Sequence, residues 1–105
     1  MELVTDIYDL TTNFPKGEDF SLKSQLRRAS VSVPSNIAEG LTRKTNCDKI
    51  HFLNIANGSL SEIDTQLEIA LRLKYISEPN FSTIEEKIIS VEKLLSGLER
   101  SLKNT

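Results

Sequence analysis

The stretch CDKIHFLNIANGSLSEIDTQLEIALRLK, residues 47–74, decides the fold of this 105-residue chain. Its apolar residues recur at spacings of 3, 4, 3, 4 and 3, at Leu53, Ala56, Leu60, Ile63, Leu67 and Ala70. This spacing predicts a helix from Cys47 to Lys74, roughly 42 Å long, that packs along a seam against other helices. A second apolar line makes the stripe wider than one small bundle needs and indicates self-association. It consists of Phe52, Ile55, Ile69 and Leu73.

Three turn signals separate four helical segments. They combine proline, glycine or a capping residue with a break in the apolar spacing, at residues 14–17, 42–46 and 77–80. The first segment predicts a short helix from Glu2 to Asn13. Asn46 is expected to cap the third helix, and the capping box Ser82-Thr83-Ile84-Glu85 predicts the start of the fourth.

The second segment, from Ser21 to Gly40, is helical in spacing but contains Pro34. Proline removes one backbone hydrogen bond and clashes with the carbonyl four residues earlier. We expect a helix that is kinked or locally opened between Ser30 and Val33, where serine hydroxyls could satisfy the freed backbone groups. The alternative is two short helices divided at Val33.

No segment alternates apolar and polar residues as a strand does. The sequence therefore predicts an all-α protein, namely an antiparallel up-down-up-down four-helix bundle with a short first helix. A chain of this length has room for one core, so residues 1–105 are expected to form a single domain.

The composition excludes several classes of protein. Lys and Arg number 13 against 15 Asp and Glu, one cysteine leaves no internal disulfide, and one histidine leaves no multi-histidine metal cluster. No apolar run approaches the roughly 20 residues of a membrane span, and Met1-Glu2-Leu3 does not open a signal peptide. We therefore expect a cytoplasmic protein with no membrane partner.

The sequence carries no catalytic or cofactor signature. Cys47 and His51 share one helix face, but a metal site would need two further ligands. The serines of the second and third segments lack a basic partner at a recognisable spacing, and no glycine-rich phosphate loop is present. We expect no enzyme, no cofactor and no metal.

Polar side chains at helical spacing predict a structural cluster. Its members are Asn36, Glu39, Ser59 and Glu62. Each pair is three residues apart on one helix face and could join Arg27 or Arg28 across the helices, which would fix register more than add stability. The alternative is that they are ordinary solvated groups. Gly58, inside the third helix, is expected to let another helix backbone approach closely.

Positive charge concentrates in the middle of the chain. Six basic residues stand there against Glu39 and Asp48, a local excess of four: Lys23, Arg27, Arg28, Arg43, Lys44 and Lys49. Such a patch could contact phosphates, so these are the predicted nucleic-acid-binding residues. The alternative is a solvated face, which the overall pI of 5.4 favours. The patch also lacks interleaved aromatic residues for base stacking.

Two blocks of the sequence resemble a known family. SQLRRASVSVPSNIAEG, residues 24–40, is similar to the central signature of bacterial four-helix-bundle proteins encoded in intervening sequences of large-subunit ribosomal RNA genes. That family includes the accessory variability protein of diversity-generating retroelements. FLNIANGSLSEIDTQL, residues 52–67, is a second similar block, and Phe14-Pro15 and residues 73–76 also fall where such proteins have similar residues.

The resemblance implies a ring-like homopentamer that binds RNA or DNA and, in the retroelement branch, a reverse transcriptase. Members usually have a longer first helix, so more of helices two to four is expected to be uncovered here. The leading hypothesis is a non-enzymatic homo-oligomeric scaffold for nucleic acid or a ribonucleoprotein. The alternative is a protein-only interaction module that docks a partner protein on its apolar or acidic surface.

Overall fold

The computed structural model describes residues 2–104. It contains four α-helices: α1 (Glu2–Thr11), α2 (Leu22–Leu41), α3 (Asn46–Arg72) and α4 (Glu78–Lys103). One short 3-10 turn, Lys16–Glu18, lies between α1 and α2, and the described residues include no strand. The helices pack in the cyclic order α1–α2–α3–α4–α1. This arrangement confirms the predicted all-α up-down bundle with a short first helix.

A single hydrophobic core runs between the helices. All six residues of the predicted α3 seam are buried, and most of them are fully enclosed. The same core contains Leu26 and Val33 of α2, Ile88 of α4 and Ile7 of α1, each at most 1% exposed. The spacing in residues 47–74 therefore identified the central helix correctly. Within residues 2–104, no helix has the length and apolar character needed to cross a membrane.

The second helix is continuous through Pro34. The alternative of two short helices divided at Val33 is therefore wrong. Side chains add hydrogen bonds near the proline: the Ser30 hydroxyl donates to the Arg27 carbonyl at 2.8 Å. The Asn36 amide donates to the Ser32 carbonyl, also at 2.8 Å. Packing also supports the helix, since α2 and α3 are the most closely packed pair in the bundle.

Two predicted helix starts are wrong. Thr45, not Asn46, caps α3, because its hydroxyl accepts the Asp48 N–H at 3.1 Å. The Asn46 side chain instead donates to the carbonyl of Leu102 and joins the start of α3 to the end of α4. The fourth helix begins at Glu78, four residues before the predicted capping box, with Ser77 as its N-cap. Proline is tolerated in the first turn of a helix, so Pro79 did not mark the break we expected.

The helices α2 and α3 approach each other closely at Gly40, which is buried. A Cβ added there would lie 2.9 Å from the Cβ of Phe52 and 3.3 Å from the Lys49 carbonyl oxygen. A Cβ added at Gly58 would meet no atom within 4 Å. The expectation that Gly58 makes room for a neighbouring helix is therefore wrong within this chain, and Gly40 has that role.

The third helix ends in a Schellman motif that has lysine where glycine is usual. The Tyr75 N–H donates to the Ala70 carbonyl at 2.9 Å and the Lys74 N–H donates to the Leu71 carbonyl at 3.0 Å. Lys74 has a φ of 64°, the left-handed region. A side chain there costs about 1–2 kcal/mol relative to the right-handed conformation.

Replacing Lys74 with glycine should therefore raise the free energy of unfolding by about 0.5–1 kcal/mol, after allowing for the greater freedom of glycine in the unfolded chain. Urea denaturation followed by circular dichroism measures the change. Lys93→Gly, in the exposed middle of α4, is the matched control and should lower stability by about 1 kcal/mol. If both variants lose stability, the backbone at Lys74 is not strained.

Candidate interaction surface on the α2–α3 hairpin

The hairpin of α2 and α3 has one side packed on α1 and α4. The other side is not covered by a helix, because within residues 2–104 α4 contacts α3 and α1 but not α2. We call this uncovered side the outer face. It is formed by Gln25, Arg28, Ser32, Ile55, Gly58, Ser59, Glu62, Gln66, Ile69 and Leu73. Both sequence blocks that resemble the family contribute to it. The outer face is the candidate functional site.

The α3 side of the outer face carries three exposed aliphatic side chains. Ile55, Ile69 and Leu73 are 39%, 43% and 51% exposed. With Gly58 and Glu62 between them they are spaced 3, 4, 7 and 4 residues apart, which places them along one side of the helix. The fourth residue of the predicted apolar line, Phe52, is instead partly buried against Gly40.

A polar groove of about 380 Å³ runs between α2 and α3 on the outer face. The Ser59 hydroxyl donates to the Ser32 hydroxyl at 2.8 Å, and the Gln66 amide donates to the Gln25 side-chain oxygen at 3.3 Å. The side-chain oxygen of Gln66 is buried and, within the described chain, accepts no hydrogen bond. The hydrogen bonds of the groove therefore join α2 to α3.

The predicted polar cluster forms in part. Asn36 and Ser59 are joined through the hydroxyl of Ser32, which accepts from Asn36 at 2.9 Å. Glu62 lines the same groove. Glu39 does not join it, because its carboxylate pairs with Arg43 at 2.6 Å.

Ser32 and the two glutamines of the groove were not predicted as members of this cluster. Gln25 and Ser32 are seven residues apart on α2, and Ser59 and Gln66 are seven apart on α3. Since a spacing of seven returns to the same side of a helix, a polar repeat on both helices was the signal that could have found them.

The six predicted basic residues do not form one patch. Three of them lie in the first half of α2 and three lie near the α2–α3 connection, with roughly 24 Å of helix between Arg27 and Arg43. Lys23 pairs with Asp19 at 3.4 Å and Arg43 pairs with Glu39. Arg28 is exposed and donates only to the Ser24 hydroxyl at 3.4 Å. Lys44 is exposed and Lys49 is partly buried.

Arg27 holds α1 against α2. Its Nε–H donates to the Thr11 hydroxyl at 2.8 Å and its Nη2–H donates to the Tyr8 carbonyl at 3.1 Å. Its guanidinium also lies 4.5 Å from the centre of the Tyr8 ring. On the other side of α1, Lys87 of α4 pairs with Asp6, and this hydrogen bond raises the pKa of Lys87.

Glu18 caps the start of α2, because the side chain of Ser21, the N-cap residue, accepts no hydrogen bond from the backbone of the first turn. Its carboxylate accepts the Ser21 hydroxyl at 2.6 Å, the Leu22 N–H at 3.2 Å and the Tyr75 hydroxyl at 3.1 Å. Hydrogen bonds, chiefly from Ser21, keep the pKa of Glu18 below its ordinary value. Burial is the main cause of the raised pKa of Tyr75. The same contacts tie the α3–α4 connection to the start of α2.

Cys47 and His51 are both exposed on α3, and the His51 ring lies edge-on to Phe52 with 5.5 Å between ring centres. Among residues 2–104, no group of three or more His, Cys, Asp or Glu side chains is placed to hold a metal ion.

An acidic pair lies between α3 and α4. A hydrogen bond with Asp64 is the main cause that raises the pKa of Glu85 to about 7; burial and the charges of Asp64, Glu92 and Glu68 add to it. The folded protein therefore holds a proton on this pair that the unfolded chain has released above about pH 5.

The free energy of unfolding should consequently fall as the pH rises from about 5 to about 8, by about 1–2 kcal/mol because both carboxyls are partly exposed and screened by water. In Glu85→Gln the glutamine amide is neutral at every pH and can still donate a hydrogen bond to Asp64. The free energy of unfolding of this variant should therefore be nearly constant between pH 5 and 8, and at pH 8 it should exceed that of the wild type. Urea denaturation across the pH series measures both, with Glu86→Gln, an exposed neighbour, as control. A wild-type stability that does not change between pH 5 and 8 would contradict the prediction.

The fold and the outer face together define an all-α helical bundle with an exposed polar groove between α2 and α3. The family model for 23S rRNA-intervening sequence proteins matches residues 1–97. The chain belongs to this family.

A crystal structure of a protein of unknown function from the S23 ribosomal protein family of Bacteroides thetaiotaomicron is similar to this chain, with a TM-score of 0.80 and 26% sequence identity. The match covers 91% of this chain and 87% of that one. No curated protein matches the chain. These similarities confirm the predicted family and fold.

Proposed function

We propose that this protein is a non-enzymatic scaffold that assembles with copies of itself and presents the resulting surface to a partner. The observation that carries the proposal is the exposure of Ile55, Ile69 and Leu73 in one line on the outer face. Aliphatic side chains gain free energy when they leave water, so three of them exposed on one side of α3 favour contact with another protein surface. The ring of five copies that the family resemblance implies would be one form of this assembly.

Light scattering coupled to size exclusion tests the assembly directly. A mass of several protomers, near five for the ring, is the expected result, and it should persist at high salt because apolar contacts are not screened. The same run with a generic RNA shows whether the assembly also takes up nucleic acid. A monomer at all concentrations up to hundreds of micromolar would contradict the proposal.

Nucleic acid is the second candidate partner. Arg28, Lys44 and Lys49 form no ion pair with a carboxylate within residues 2–104 and so could contact phosphates. Repetition around an assembly would multiply this charge. A reverse transcriptase, implied by the resemblance to the retroelement branch, is the alternative protein partner.

Filter binding of single-stranded RNA at low salt tests the nucleic-acid candidate. Lys44→Gln with Lys49→Gln should weaken retention and lower the salt dependence by roughly 0.7 for each lost contact. Lys93→Gln on α4 is the matched control. No retention of RNA or DNA by the wild-type protein would contradict nucleic-acid binding and favour the protein partner.

A further inference from the structure

We propose that the part of the bundle beyond the start of α1 is a docking groove for an amphipathic helix of another protein, which lies between α2 and α4 in line with α1. We call this surface the α2–α4 groove. In the cyclic order of the helices, α1 lies diagonally opposite α3, so the α2–α4 groove is on a different side of the bundle from the outer face. It is therefore separate from the self-assembly proposed above.

The first helix fills only part of the space between α2 and α4. It has 10 residues, whereas α2 has 20 and α4 has 26. Leu10 lines a pocket with Asn80, and Leu3 lines another with Val91, so α1 runs antiparallel to α4 and begins beside Val91. Within residues 2–104, the part of α4 from Val91 to Lys103, roughly 18 Å long, therefore continues past the start of α1.

On α4, the side that contacts α1 becomes apolar where α1 is missing. Lys87 pairs with α1. From Lys87, spacings of 4, 3, 4 and 3 keep to one side of the helix and lead to Val91, Leu94, Leu98 and Ser101. Leu94 is 55% exposed, and Val91 and Leu98 are only partly buried. None of the four residues after Lys87 is charged.

The facing side of α2 has the same pattern. Arg27 bonds α1, and the same spacings of 4, 3, 4 and 3 lead from it to Val31, Pro34, Ala38 and Leu41. Val31 is 42% and Leu41 is 55% exposed, and Ala38 is also exposed. The α2–α4 groove thus has two walls of aliphatic or small side chains, and each wall starts at a residue that holds α1.

A helix is the element that fits between these walls. The same two sides of α2 and α4 already pack against a helix, α1, and they continue beyond it without a break in spacing. The uncovered part runs from Pro34 to Leu41 on one wall and from Val91 to Ser101 on the other, roughly 10–15 Å. This length accommodates two to three turns of a helix whose apolar face enters the groove.

The chemistry of the groove favours another protein over a second copy or a nucleic acid. Each of the four helices already contributes its apolar residues to the core of its own chain. A second copy could therefore fill the groove only by withdrawing one of its helices from its own bundle. A surface that binds phosphates needs positive charge, and the two walls beyond Arg27 and Lys87 have none.

The charges at the two ends of the groove determine the polarity of the docked helix. Glu2, whose side chain is 87% exposed, lies at the end next to α1. Lys44, three residues after Leu41, lies beyond the other end; it is exposed and forms no ion pair within residues 2–104. A helix that runs in the direction of α1 places its last turn at Glu2 and its first turn near Lys44. Basic residues in the last turn and acidic residues in the first turn, which also suit the helix dipole, complement these charges.

A synthetic peptide of roughly 12 residues tests the groove. It has an acidic first turn, leucines at spacings of 3 and 4, and a basic last turn. Titration into the isotope-labelled protein should shift the amide resonances of residues 34–41 and 91–101. A nitroxide on the last residue of the peptide should broaden the amides of Glu2 and Leu3 more than that of Lys44, which verifies the direction of the helix.

Leu94→Glu is the variant that tests the apolar wall. It places a charge against the apolar face of the peptide and should weaken binding at least about tenfold, measured by fluorescence anisotropy. Ile89→Glu is the matched control, because Ile89 is also an exposed aliphatic residue of α4, at 46%, but points about 140° away from Leu94. It should bind the peptide as the wild type does. Both positions are exposed, so circular dichroism should show a folded bundle in each variant.

The outcomes distinguish this proposal from the proposed self-assembly. A peptide that does not bind at concentrations up to about 1 mM, binds Leu94→Glu as well as the wild type, or shifts the amides of Ile55, Ile69 and Leu73 instead overturns the α2–α4 groove and leaves the assembly proposal standing. If Leu94→Glu lowers the mass of the wild-type oligomer in light scattering, the groove is a contact between copies, which also overturns it. A monomeric wild-type protein that binds the peptide in the groove would overturn the assembly proposal alone.

Discussion

Replacing Gly40 with alanine is expected to lower the free energy of unfolding by about 1–3 kcal/mol. The added methyl group would lie 2.9 Å from the Cβ of Phe52, an atom fixed to the α3 backbone, and 3.3 Å from the carbonyl of Lys49. Neither neighbour is the movable end of a flexible side chain, so α2 and α3 must separate. Thermal or urea denaturation measures the loss.

The sign of this effect is what makes the prediction specific. In an ordinary helix, glycine to alanine raises stability by about 1 kcal/mol. Gly97→Ala in α4 is the matched control, since a Cβ there meets no atom within 4 Å, and it should show that gain. A Gly40→Ala protein as stable as the Gly97→Ala protein would show that the two helices can move apart without loss.

Replacing Arg27 with alanine is expected to lower the free energy of unfolding by about 2–3 kcal/mol. The substitution removes two hydrogen bonds from a charged donor and a cation–π contact with Tyr8. One of these two hydrogen bonds reaches the buried hydroxyl of Thr11, which itself donates to the Ile7 carbonyl. The loss should be greatest in α1. The ratio of the deuterium exchange rates of α1 amides to those of α3 amides should therefore be larger in the variant than in the wild type.

Lys23→Ala is the control for Arg27. It removes the same charge from the same helix, but its ion pair with Asp19 is local and partly solvated and should contribute only about 0.5 kcal/mol or less. Arg27→Ala would contradict this prediction if it left the free energy of unfolding and the exchange of α1 amides unchanged but abolished RNA retention. Arg27 would then belong to a nucleic-acid surface, as the sequence suggested, and its contacts with α1 would not be a significant source of stability.

The sequence predicted what depends on regular spacing. The seam of α3 and the stripes of the other helices determine which residues are buried, and burial of apolar area dominates the packing of a small domain. The helix starts were less predictable because several residues near each end could serve as the cap. In α3, Asn46 donates its side-chain hydrogen bond to Leu102 and Thr45 is the cap. In α4, Pro79 lies in the first turn, where proline is not strained, and Ser77 is the cap.

The candidate site was predicted less well than the fold. Helical spacing placed Ser59 and Glu62 on one face, but it could not show that Arg27 points towards α1 while Arg28, the next residue, points away. Adjacent residues on a helix differ in direction by about 100°, so a run of basic residues in sequence does not become a patch in space. Likewise, Gly40 and Gly58 are both helical glycines, and only the three-dimensional neighbours distinguish a close contact from an open position.

The attachment of α1 has a consequence for the order in which the chain can fold during synthesis. With 10 residues, α1 is shorter than the roughly 12–15 at which an isolated helix becomes even marginally stable. One of its polar attachments, Lys87, follows Asp6 by 81 residues. Since α1 is synthesised before α2, α3 and α4, it gains this last partner only after α4 has been made.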